Sequence, residues 1–170
     1  MNNVKSSRIF KRLSALVMAM ALTCALGVAA NAAEPESTST SYTVTITQAD
    51  GTASMANDIV AGAATVTPSG DGVQISIPIK PITNYSPMSF LPAADGYLRT
   101  LTVTGATSAT VTPADVLYTE GAITIVLPGA LPTDGKLVVS TSHIDLYSAG
   151  TSDPYTFIDH VSPDFVIVLS

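Results

Sequence analysis

The sequence predicts an all-β domain, an antiparallel sandwich or barrel of about eight strands with one short helix. Three observations predict it. Apolar residues recur at period two in successive runs from Tyr42 onward, turn-forming clusters such as SGDG, PAADG and PTDG separate those runs, and helical periodicity is almost absent.

The amino end comes first. Lys5, Arg8, Lys11 and Arg12 precede an apolar stretch from Leu13 to Val28, and ANAAE then offers small residues for cleavage after Ala32. That order predicts a signal peptide over 1–32 and a secreted or cell-envelope protein. Cys24 lies in the apolar stretch behind ALT, which does not match a lipid-attachment signal.

Cleavage would leave a chain with no cysteine, so its core must carry the fold without disulfides. Three basic residues, Lys80, Arg99 and Lys136, would then stand against thirteen acidic ones, a net charge of −10. Nucleic acid and anionic membrane surfaces would both be repelled, which favours a neutral or apolar partner. The remaining length, about 138 residues, suits one domain.

Residues 33–41, AEPESTSTS, are polar and aperiodic, a short flexible lead. The domain is expected over 42–170. YTVTITQ sets Tyr42, Val44 and Ile46 on one face of a first strand, and GVQISIPIK does the same with Val73, Ile75, Ile77 and Ile79. Between them SMANDIV, residues 54–60, forms one or two helical turns, with Ser54 as N-cap and Asp58 just inside. AATVTP, YLRTLTVTG, SATVTP, GAITIVLPG, GKLVVSTS and DFVIVLS supply the other strands.

The closing stretch, 142–170, is expected to be the last hairpin, and it holds both histidines and two of the six tyrosines. Met88 and Phe90, in NYSPMSFLP, belong either to a covered loop or to an exposed apolar rim.

Catalytic signatures are lacking: there is no G-x-S-x-G elbow, no H-E-x-x-H helix and no C-x-x-C pair. His143 or His160 with Asp145, Asp159 or Asp164 and a serine makes only a chance trio in a Ser/Thr-rich chain. SGDGVQ and DPYTFIDH place acidic oxygens in loops but form no D-x-D-x-D calcium pattern. LPGAL and LPTDG lie inside the domain, where a wall-anchoring signal does not belong. A binding protein, not an enzyme, is expected.

The order of elements in YTVTITQADGTASMANDIVAGAATVTPSGDGVQISIPIKPI, followed by GYLRTLTVTG, GAITIVLPGALP and GKLVVSTS, resembles the NEAT (near transporter) domain of Gram-positive surface and secreted proteins. The likeness covers roughly residues 41–170. It implies an immunoglobulin-like sandwich that holds haem (iron protoporphyrin IX) in an apolar groove between the short helix and the last hairpin. Capture or relay of haem for iron acquisition is the implied role, with haemoproteins or other haem-relay proteins as partners.

The family places Tyr-x-x-x-Tyr on that hairpin, one tyrosine on iron and the second hydrogen-bonded to it. Here the matching spacing is His143-x-x-x-Tyr147. The resemblance therefore implies Tyr147 and His143 as the first candidate iron ligands and Tyr155 and His160 as the second. Ser54 and Met55 would form the distal lip, the thioether lying against the porphyrin or reaching the iron. The alternative function is a non-haem immunoglobulin-like module for envelope binding or adhesion.

Overall fold

The computed structural model describes residues 38–86, 89–114 and 117–170. The expected signal peptide, most of the expected lead, and Met88 lie outside these residues. The described chain forms two antiparallel sheets packed as a sandwich, the all-β class expected.

The first sheet has the order β1 (Thr40–Tyr42), β3 (Ala64–Ser69), β4 (Gly72–Ile79), β8 (Gly121–Leu127), β7 (Ser108–Thr112). The second runs β2 (Val44–Thr47), β11 (Phe165–Leu169), β9 (Lys136–Ser148), β6 (Ala94–Val103), β5 (Ile82–Tyr85), with β10 (His160–Val161) also paired to β9. A 3₁₀ helix at Met55–Ile59 bridges β2 and β3.

Alternation carries the core. Ile75, Ile77 and Ile79 of β4 and Ile123 and Ile125 of β8 are at most 1% exposed, while Gln74 and Ser76 take the other face. From the second sheet Ile46, Leu137, Val139, Phe165 and Ile167 meet them.

Proline is tolerated in these strands because each occupies a half-paired position. Pro68 lies beyond the pairing of β3 with β1, and Pro78 beyond the pairing of β4 with β3. Gly70 opens the two-residue β3–β4 turn at φ +59°, and Gly72 closes it where a Cβ would come within 2.0 Å of the Leu127 carbonyl oxygen.

Eleven strands are found among the described residues, against about eight expected. The first expected strand divides at Thr43 and contributes to both sheets, since Tyr42 pairs with Ala64 while Val44 pairs with Leu169. Pairing also starts at Thr40, inside the expected lead. β5 and β10, only 4 and 2 residues long, are too brief to show a period in the sequence.

Two register slips shape the pairing of β6 with β9. Val103 pairs with Val139 and Thr102 with Thr141, which leaves Ser140 extra in β9; Thr100 pairs with His143 and Leu98 with Ile144, which leaves Arg99 extra in β6. An extra residue reverses which face the following side chains take. Leu137 and Val139 are buried before the bulge, and Ser142, Ile144 and Leu146 after it.

Candidate functional site

A cavity of about 440 Å³ opens between the 3₁₀ helix and the second sheet. Its helix wall is fixed from below. Ala56 and Ile59 are 3% and 0% exposed, so the helix is held by its apolar side and leaves Met55 61% exposed at the rim. Ser54 caps the helix by accepting from the Ala56 amide at 3.2 Å, and Asn57 Oδ1 accepts from the Ile46 amide at 2.8 Å, tying the helix to β2.

Ile144 and Leu146 of β9 and Ile82 and Tyr85 of β5 form the facing wall, and the segment from Val161 to Asp164 closes one side. Gly96, between β5 and β9, lets these side chains come together: a Cβ there would stand 3.1 Å from Ile144 Cγ2. Ser142 Oγ donates to the Pro163 carbonyl and fastens the closing segment to β9.

Tyr85 is the one phenol on this wall. Burial pushes its pKa up, because the phenolate would lose hydration there. Asp95, 9% exposed, positions the strand that carries it. One carboxylate oxygen accepts from the Asn84 amide at 3.0 Å and the other from the Gly150 amide at 2.8 Å, so β5 and the loop after β9 are clamped together. Asn84 itself sits at φ +54°, a conformation asparagine tolerates better than most residues.

The opposite face of β9 carries a polar and aromatic cluster. Asp145 accepts from Arg99 Nε at 2.7 Å through one oxygen and from His143 Nε2 at 2.8 Å through the other. Arg99 also donates to the Ala114 carbonyl at 2.9 Å and the Tyr147 hydroxyl at 3.3 Å. Its guanidinium lies 5.7 Å from the Tyr97 ring and 6.0 Å from the Tyr147 ring. Tyr97 meets Tyr118 and Tyr147 edge to face, and Tyr118 donates to the Leu98 carbonyl.

The expected site residues therefore fall into separate places. Ser54 and Met55 line the cavity. His143 and Tyr147 alternate with Ile144 and Leu146 along an unbroken stretch of β9, so they project from the other side of the sheet. His160 joins them there, its ring stacked on that of His143 with centroids 4.5 Å apart. Tyr155 is 4% exposed, with its hydroxyl donated to the Pro92 carbonyl, and pins two loops together. Phe90 is 79% exposed, which resolves its alternatives in favour of an apolar surface residue.

Two residues of this region were not legible as members of a site. Tyr85 lies in a short segment between Pro81 and Pro87, with no alternation to assign its face. Arg99 did leave a trace: a charge inside the apolar run YLRTLTV marks a place where a strand must supply polar partners.

Among the described residues no group of three or more His, Cys, Asp and Glu side chains is arranged to hold a metal ion, and no helix is long and apolar enough to cross a membrane. No protein-family model matches this chain, and neither a characterised protein nor a solved structure matches it significantly.

Proposed function

We propose that this chain is an exported binding protein that takes haem, or a closely similar flat apolar ligand, in the cavity between the 3₁₀ helix and β9. Capture or relay of that ligand is its role, and no catalysis is required of it. The observation that carries the reading is the cavity itself: apolar walls from Ile82, Ile144 and Leu146 with a half-buried phenol, Tyr85, among them and a thioether, Met55, at the rim.

These groups fit haem in kind. Haem, if bound, would supply an iron with an affinity for phenolate and thioether groups. Tyr85 would offer the phenolate, and Met55 would pack on the ring or act as a softer ligand, since both line the cavity. Because burial favours the neutral phenol of Tyr85, ligation by that oxygen must release a proton, and affinity should rise with pH. His143, Tyr147 and His160 have no part in this arrangement.

The test is a hemin titration of residues 33–170 followed through the Soret band. A shifted band is expected, with charge-transfer features lost in Tyr85→Phe and unchanged in His143→Ala. A spectrum identical to free hemin at excess protein removes haem, and sensitivity to His143→Ala with indifference to Tyr85→Phe moves the ligand to the other face of β9.

A second reading is an envelope binding module for an iron-free apolar ligand. It is favoured by the described residues of the cavity wall, among which no histidine, arginine or second tyrosine stands beside Tyr85. It predicts that iron-free protoporphyrin binds as well as hemin and that Tyr85→Phe changes neither.

A further inference from the structure

The two histidines of this chain meet on the face of β9 away from the cavity, and they do so by strand pairing. His160 of β10 pairs with Asp145 of β9, which makes His143 its diagonal neighbour on the same face. Their rings stack at a centroid distance of 4.5 Å and an angle of 25°. Both side chains are open to solvent, at 39% and 44% exposure.

Each imidazole has one nitrogen committed to a carboxylate. His143 Nε2 bonds to Asp145 at 2.8 Å, and His160 Nδ1 bonds to Asp159 at 2.8 Å. Asp145 is itself held by Arg99, so the orientation of His143 is fixed from behind. A carboxylate on one ring nitrogen sets the tautomer that presents the other nitrogen as a bare lone pair, the form that metal-bound histidines require. Among the described residues no hydrogen bond engages Nδ1 of His143 or Nε2 of His160.

We propose that His143 and His160 together bind one divalent transition-metal ion, zinc or a neighbour in the series that favours imidazole. Two paired strands hold both ligands in advance, and the chain's acidity attracts the cation. Zinc–nitrogen bonds of about 2.0–2.1 Å would bring the two free nitrogens to about 3 Å from each other, which requires the exposed rings to turn out of their stack until both lone pairs meet at the ion. Water would complete the coordination shell, which makes the site open and exchangeable. It is independent of the cavity and of any haem.

Having only two histidines makes the test direct. Residues 33–170, without a histidine tag, are titrated with Zn(II) while the two imidazole Cε1–H resonances are followed by NMR. Both should shift together and saturate at one equivalent. His143→Ala should weaken the response of His160 by at least about tenfold, His160→Ala should do the same for His143, and Asp159→Asn, at a side chain 87% exposed, should weaken binding less than either. Circular dichroism checks that each variant keeps the fold. Shifts in only one resonance, saturation above one equivalent, or an unchanged response of one histidine after loss of the other would overturn the proposal.

Discussion

Arg99 should contribute strongly to the stability of the second sheet. It is 8% exposed, and Arg99→Ala removes a charged hydrogen bond to Asp145, a bond to the Ala114 carbonyl and contact with two tyrosine rings. The charged bond contributes about 1.5–3 kcal/mol and the carbonyl bond about 0.5–1.5 kcal/mol. Each ring contact adds about 0.5–1 kcal/mol. Against this, the buried guanidinium no longer has to be desolvated, and Asp145, 31% exposed, regains water. A net loss of about 3 kcal/mol follows. With a urea slope of about 2 kcal/mol/M, the unfolding midpoint should fall by about 1.5 M. Arg99→Lys keeps the charge but not the planar fork, and should recover only part of the loss. A double-mutant cycle with Asp145→Ala should return a coupling of at least about 1 kcal/mol. A midpoint within about 0.3 M of the parent, or a coupling near zero, would refute the assignment of Arg99 as the organiser of this face.

Gly72→Ala places a Cβ 2.0 Å from the Leu127 carbonyl oxygen and 2.8 Å from the Gly129 amide, both backbone atoms that cannot turn away, so stability should drop by at least about 2 kcal/mol in the same urea assay. An unaffected midpoint would mean that β8 has room to move off the hairpin. Asp159 is expected to titrate below the ordinary carboxylate value because His160 bonds to it and, once protonated, attracts it; carboxyl-resolved NMR checks this, and His160→Ala should raise the value. Since the folded pKa is the lower one, the associated stabilisation is present above the unfolded pKa and is lost as pH falls through the folded pKa.

Much of the sandwich was legible because half-buried strands record their two faces in the sequence. Ile75, Ile77 and Ile79 alternate without interruption, and they fill the core as that pattern requires. The short helix was also legible: Ser54 caps it, and Ala56 and Ile59 turn inward. β5 was not, because prolines at 81 and 87 bracket a segment whose Ile82 and Tyr85 are three apart and whose Asn84 lies at positive φ. β10 has only two residues and exists through its bonds to β9.

The sequence by itself determined the all-β class, most of the strands, the helix and the residues packed between the sheets, since each follows from local spacing and the burial of apolar side chains. Tertiary structure alone decided which face of β9 each candidate residue takes. An uninterrupted alternation from Leu137 and Val139 would have turned His143 and Tyr147 toward the cavity. The extra residue at Ser140 reverses the phase, sends Ile144 and Leu146 there instead, and delivers the histidines to the opposite side. A bulge is fixed by how two strands share hydrogen bonds across 38 residues of chain, from Thr102 to Ser140, and one strand's own pattern does not record it. For the same reason Tyr85, silent in the sequence, stands on the cavity wall, while the two histidines, conspicuous in it, form a separate pair.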